Sequence, residues 1–174
     1  MAPRGPIGVS VEIDLITDYA QALAYIAARS GYERGFVQNP FAGDEGAARG
    51  LLRTAALLDA LGNPERTLHL VHVAGTKGKG SVSATVATIA HAAGRTVGFY
   101  TTPHLHTFRE RLQINLEPVS EEQLVDLVRT GAGAVATAEQ AHPELGVITA
   151  FEFVTALALK AFADAQADLT VIEV

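Results

Sequence analysis

The sequence predicts an α/β fold, a mostly parallel sheet flanked by helices. Short apolar runs alternate along the chain with longer segments of helical period, the order that gives parallel strands joined by right-handed crossovers. One such run, 68–74, passes through Gly75, Gly78 and Gly80 straight into an Ala-rich helical pattern. The last run, 169–174, is apolar and broken by Glu173. A chain of 174 residues fits one domain of roughly 100–200 residues with a real core.

Taken in order, residues 17–29 bring Ala22, Leu23, Ile26 and Ala27 to one face and are expected as a helix capped by Thr17. Residues 30–43, rich in Gly, Asn and aromatic residues, are expected as a loop. Asp44 can cap a second helix over 44–61, which Gly62-Asn63-Pro64 stops. A strand over 68–74 and a helix over 79–93, ended by Gly94, come next. Residues 96–101 form a short apolar strand. Residues 111–116 alternate polar and apolar, which predicts a third strand at an edge or in a hairpin. Ser120-Glu121-Glu122-Gln123 is a capping box opening a helix to about 138, and Gly131 and Gly133 are expected to weaken its end. A helix over 149–164 and the strand over 169–174 complete the series. The chain stops inside what reads as a central strand, so the sequence is read as the front part of a longer protein.

Composition narrows the function. With 13 Lys and Arg against 19 Asp and Glu, the formal charge is −6, which lacks the footprint of a nucleic-acid binder. Basic residues cluster only at Lys77/Lys79 and Arg109/Arg111, which suits one small polyanion. Hydrophobic residues make up 48% of the chain and mean hydropathy is +0.21, values of a folded chain rather than a disordered one. The absence of cysteine excludes disulfides and thiolate zinc sites. The sequence shows no secretory apolar region near its start and no run of ~18 apolar residues, so no membrane is expected and the cytoplasm is the expected location.

The chemistry concentrates at Gly75-Thr76-Lys77-Gly78-Lys79-Gly80-Ser81. A strand that turns through glycines into a helix N-terminus offers unpaired N–H groups and a helix dipole to an anion. Lys79 adds a charge near terminal phosphates, and Ser81 can reach a magnesium ion or a phosphate oxygen. The general phosphate-loop pattern wants a glycine where Val73 stands, and Gly80 separates Lys79 from Ser81. An ordinary glycine turn is the plain alternative, but it has no use for two lysines.

The loop resembles that of the folylpolyglutamate and dihydrofolate synthases, in the Mur-ligase-like superfamily, whose pattern is Gly-Thr-Asn/Lys-Gly-Lys-Gly-Ser/Thr. Further motifs follow in order. Tyr100-Thr101-Thr102-Pro103-His104-Leu105, Arg109-Glu110-Arg111 with Ile114-Asn115, Thr149-Ala150-Phe151-Glu152 and Val171-Ile172-Glu173-Val174 each resemble a family segment. The resemblance implies a P-loop domain over 44–174, incomplete, behind an N-terminal helix and loop over 1–43. It implies an ATP-dependent ligase that phosphorylates a pteroate or folate carboxylate and couples it to glutamate, with ATP and Mg2+ as cofactors and a monomeric enzyme. The family's Gly-Gly-Arg-Leu-Asp segment and its C-terminal domain would lie past residue 174, so this chain alone is expected to be inactive.

The resemblance also distributes roles. Residues Gly75 to Ser81 hold ATP, with Lys79 catalytic and Lys77 either a phosphate contact or solvated. Thr102 and Glu173 are the expected metal ligands. A carboxylate in an apolar strand is costly unless a cation or donor meets it, although an edge-strand Glu could simply face solvent. Thr149, Ala150, Phe151 and Glu152 are expected at the pterin, while Thr149 and Glu152 also read as a capping box. Arg109 and Arg111 are expected to hold anionic substrate or to be solvated edge residues, and His104 to be either a substrate contact or structural. His69 and His72, in the first strand, are expected as core or partner-satisfied residues. Two other readings stay open: a different P-loop enzyme, and a nucleotide-binding remnant without turnover.

Overall fold

In the computed structural model, residues 13–30 and 44–174 are described. The expected loop over 30–43 falls outside them apart from Ser30, and the Asp44 cap depends on a side chain that is also outside.

Helix α1 spans Tyr19–Ala28. Its cap is Asp18, not Thr17. The Asp18 carboxylate accepts the Gln21 N–H at 2.8 Å, while the Gln21 side chain accepts from the backbone of Thr17 at 2.7 Å and of Asp18 at 3.2 Å. Asp18 holds extended backbone angles, and Gln21 stands at the third helical position, so the cap falls one residue later than expected and is a reciprocal box. Helix α2 spans Asp44–Ala60 and is stopped where Gly62 and Asn63 take φ of 85° and 55°. Strand β1 is Leu70–Val73, helix α3 Lys79–Ala92, and strand β2 Val97–Tyr100.

The expected third strand is a hairpin, β3 (Leu112–Ile114) with β4 (Glu117–Pro118), turned through Asn115 and Leu116 at φ of 54° and 69°. Helix α4, Glu121–Ala141, starts from the expected box at Ser120. It runs unbroken through Gly131. A Cβ there would stand 2.5 Å from Leu157 and 2.7 Å from Phe153, so this glycine permits close helix packing instead of weakening the helix. Helix α5 is Ala150–Asp164 and strand β5 Leu169–Glu173.

The sheet order is β1-β5-β2-β3-β4. Strands β1, β5 and β2 are parallel, with Val171 beside both Val71 and Phe99, and the β3–β4 hairpin adds antiparallel to β2. The last strand is therefore central, as expected. Alternate side chains go to opposite faces. Val97, Phe99 and Val171 pack with Ala87 of α3. Tyr100, Leu112 and Ile172 join the larger core with α1, α4 and α5. At Gly98 a Cβ would stand 2.4 Å from Phe162, so α5 lies directly on the sheet backbone.

One expectation fails. His69 and His72 are exposed, not core. Among the described residues strand β1 is an edge of the sheet, paired with β5, so His72 and the preceding His69 lack a neighbouring strand on the outer side. Among the described residues no helix is long and apolar enough to cross a membrane.

Candidate active site

The carboxyl ends of β1, β5 and β2 converge on one edge of the sheet, where parallel α/β sheets take ligands. From β1 the chain enters the loop, in which Gly75 has φ of 153° and Gly78 has φ of 78°. Both values favour residues without a Cβ. Gly78 precedes α3 as its N-cap, and among the described residues no side chain caps the helix there. The amides of the first turn of α3 are thus left for an acceptor from outside the helix. Thr76 and Lys77 are exposed, Ser81 is exposed in the first turn, and Lys79 and Gly80 are half-buried.

Glu173 closes this end from the central strand. It is 6% exposed, and its carboxylate faces the loop closely enough that a Cβ on Gly80 would stand 3.5 Å from Oε1. Its Oε2 accepts the Thr101 hydroxyl. Tyr100 pairs in register with Ile172, so the next residue on each strand lands side by side on the α3 face. Thr102 follows Thr101 and begins the cis peptide to Pro103.

Beyond Pro103 the chain lines a second feature, a cavity of about 560 Å³ between α1, residues 104–111 and the first turns of α5. Tyr19, Leu23 and Ile26 form one wall, His104, Phe108 and Arg111 another, and Ala150 and Val154 the third. Arg111 Nε donates to His104 Nδ1 at 3.0 Å, so Nδ1 is the ring's accepting nitrogen. The Arg111 guanidinium also lies 5.1 Å from the Phe108 ring centre. Glu110 caps this segment by accepting the N–H groups of Leu105, His106 and Thr107 at 2.7, 3.0 and 2.9 Å. Those backbone bonds, Leu105 first, hold its carboxyl below the ordinary Glu value.

The start of α5 is fixed from behind. Glu152 forms the expected box with Thr149, taking its N–H at 2.8 Å. Arg53 of α2 also reaches Glu152, with Nε at 2.9 Å and Nη2 at 2.7 Å, and Arg53 Nη1 donates to the Leu145 carbonyl at 3.2 Å. Both are buried, Arg53 at 4% and Glu152 at 7% exposure.

No family model matches the chain. Individual proteins do. A folylpolyglutamate synthase of Lacticaseibacillus casei is 42% identical over 122 residues, covering 70% of this chain and 28% of that protein. A dihydrofolate synthase/folylpolyglutamate synthase of Bacillus subtilis is 40% identical over 119 residues, covering 68% of this chain and 27% of that one. A solved FPGS–AMPPCP–folate complex matches with a TM-score of 0.75 at 38% identity, over 90% of this chain and 35% of that chain. The chain belongs to the folylpolyglutamate synthase/dihydrofolate synthase family. It spans less than a third of the length of the curated relatives it matches.

Within this synthase-family fold the sequence-predicted residues separate into groups. Gly75, Thr76, Lys77, Gly78, Lys79, Gly80 and Ser81 form one loop and helix start beside Glu173. His104 and Ala150 line the cavity. Phe151 is 45% exposed and outside that lining. Arg109 donates to the Val119 carbonyl at 2.8 Å, and Arg111 lines the cavity in its place. The carboxylate of Glu152 is committed to Arg53 and to the cap. Sequence reasoning missed Thr101, Arg53 and the α1 wall. Thr101 carried a signal, being the hydroxyl residue that shares strand parity with Phe99. Arg53 carried none, because its partner lies 99 residues away.

A magnesium ion fits the residues present. Among the described residues no group of three His, Cys, Asp or Glu gathers, so a divalent ion would rest on Glu173 with hydroxyls, phosphate oxygens and water. That hard-oxygen, partly hydrated set is what Mg2+ prefers.

Proposed function

We propose that this chain is the ATP- and pteroate-binding part of a ligase that joins L-glutamate to a dihydropteroate or folate carboxylate. The observation that carries the reading is the meeting of the buried Glu173 carboxylate with the glycine loop at Gly80, within a few residues of the cavity. Thr101 bonds Glu173 and His104 lines the cavity. Three residues span at most roughly 11 Å, so phosphates on the loop and a substrate in the cavity would be neighbours. Relatives solved with AMPPCP and folate bind both kinds of ligand in one protein.

A carboxylate is a poor electrophile. Its oxygen attacks the terminal phosphorus of ATP, the bond to ADP breaks, and the acyl phosphate has a good leaving group. The glutamate amine then forms the amide bond, phosphate departs, and the amine loses a proton. The protein's share is positioning and charge neutralisation. The amides of residues 78–81 and the Lys79 ammonium hold the phosphates, with Lys77 and Thr76 at the exposed rim. Glu173 and Thr102 would hold magnesium, which neutralises phosphate charge, and Thr101 orients Glu173. The cavity takes the ring system, with His104 Nε2–H and Arg111 offering donors. Thr149, Glu152 and Ala150 shape its wall, and Phe151 and Arg109 stand at its margin. The enzyme is proposed to be cytoplasmic and monomeric.

Titration calorimetry tests the reading. ATP is expected to bind in a Mg2+-dependent way, and Glu173→Gln to remove that dependence. Folate or dihydropteroate is expected to bind and to protect residues 104–111 and 149–154 from amide exchange. A chain that binds ATP but ignores both pterins belongs to a different phosphate-loop chemistry, and this reading is then wrong.

A further inference from the structure

Among the described residues, Arg29 is a cation with a buried side chain that the roles above leave unused. The Arg29 side chain, just past α1, is 7% exposed. Its Nη1 donates to Glu139 Oε1 at 3.0 Å and to the Ile148 carbonyl at 3.1 Å, and its Nη2 donates to Tyr25 Oη at 3.0 Å. Its own carbonyl accepts the Ala150 N–H at 3.2 Å. That amide belongs to the first turn of α5, where helix N–H groups have no partner of their own. Glu139 Oε1 also accepts the Ile148 N–H at 3.0 Å. One residue thus joins the end of α1, the last turns of α4 and the entry to α5.

The same two helices are facing walls of the cavity, α1 through Leu23 and Ile26 and α5 through Ala150 and Val154. Tyr19 ties α1 to the third wall, its hydroxyl 3.1 Å from that of Thr107. The Arg29 guanidinium also lies 4.9 Å from the Tyr25 ring centre and 6.0 Å from that of Phe153, and these rings are 5.5 Å apart. A guanidinium serves several acceptors in one plane while covering a ring, and a lysine ammonium cannot reproduce that arrangement.

We propose that Arg29 is a positioning residue that sets the gap between the α1 and α5 walls and thereby the fit of the flat ring of the substrate. The substrate part of this inference rests on the cavity being the pteroate site. The Arg29 side chain acts on the entry to α5 through Glu139 and the Ile148 carbonyl, beside the backbone bond that its carbonyl makes to Ala150, and touches no reacting atom.

The test uses the 174-residue chain with Arg29→Ala and Arg29→Lys. Amide exchange at 150–154 is expected to accelerate about tenfold or more in both variants, with β1, β2 and β5 amides unchanged. Folate affinity is expected to fall about tenfold with ATP affinity unchanged. Unchanged exchange at Ala150 overturns the proposal. So does equal loosening of the sheet, or an equal loss of ATP binding, because Arg29 would then support only global stability. Full rescue by Arg29→Lys also overturns it, because charge alone would suffice. Loosened amides in the variants of a chain whose wild type binds no pterin would overturn the cavity assignment and the substrate part of the proposal, leaving the wall geometry supported.

Discussion

Helices α3 and α5 both begin at the ligand edge of the fold, yet their first turns are built in opposite ways. At α3 the cap is Gly78, with no side-chain acceptor. At α5 the Thr149 hydroxyl accepts the Glu152 N–H, the Arg29 carbonyl accepts the Ala150 N–H, and the Glu152 carboxylate is held by Arg53. The dipole is the same at both ends. One is left open for an anion, and the other is closed by the protein's own acceptors and used as a wall. A helix N-terminus becomes a ligand site only where its amides are unspent.

Arg53→Ala should give the largest effect, because it strips the partner from a buried carboxylate. A loss of about 3–5 kcal/mol is expected in urea denaturation, with α5 as the region that loosens. Stability within 1 kcal/mol of wild type, roughly the worth of a surface pair, would mean that the closed end is not held as described. Lys79→Ala tests the open end. It should leave stability unchanged and weaken ATP binding by about 1.5–3 kcal/mol, the worth of a charge-assisted hydrogen bond. A large fall in melting temperature would show Lys79 to be structural. Thr149→Ala removes only the local cap and should cost about 1 kcal/mol. An effect as large as that of Arg53→Ala would make the cap, rather than the ion pair, the anchor of α5.

The smallest effect is one of pH. The folded pKa of Glu110 lies below its ordinary value, so its contribution is present above about pH 4.3 and is lost as pH falls through the lower folded value. Amide exchange of residues 105–107 should rise across that acid range while the amides of α5 stay protected. Glu110→Gln should remove the pH dependence.

What could be read in the chain follows the range of each interaction. The capping box at Ser120 and the glycine loop are patterns of adjacent residues, and the structure has both. The cap of α1 moved by one residue, because Thr17 and Asp18 are both competent and only the backbone angles chose between them. Gly131 read as weakening the helix end because its cost is local, and its reason, the close approach of Phe153 and Leu157 of α5, is not. His69 and His72 read as core because they stand in an apolar run, and only the tertiary structure puts that run at an edge of the described sheet.

By itself the sequence determined the element order, the interior place of the last strand, and a glycine loop leading into a helix, because these depend on periodicity, glycine conformation and neighbouring residues. Tertiary structure alone decided that Thr101 meets Glu173, that Glu152 turns to Arg53, and that α1 supplies a wall of the cavity. Those pairings join residues 72 to 99 positions apart and more. Strand register and helix packing bring them together, and a linear pattern encodes neither.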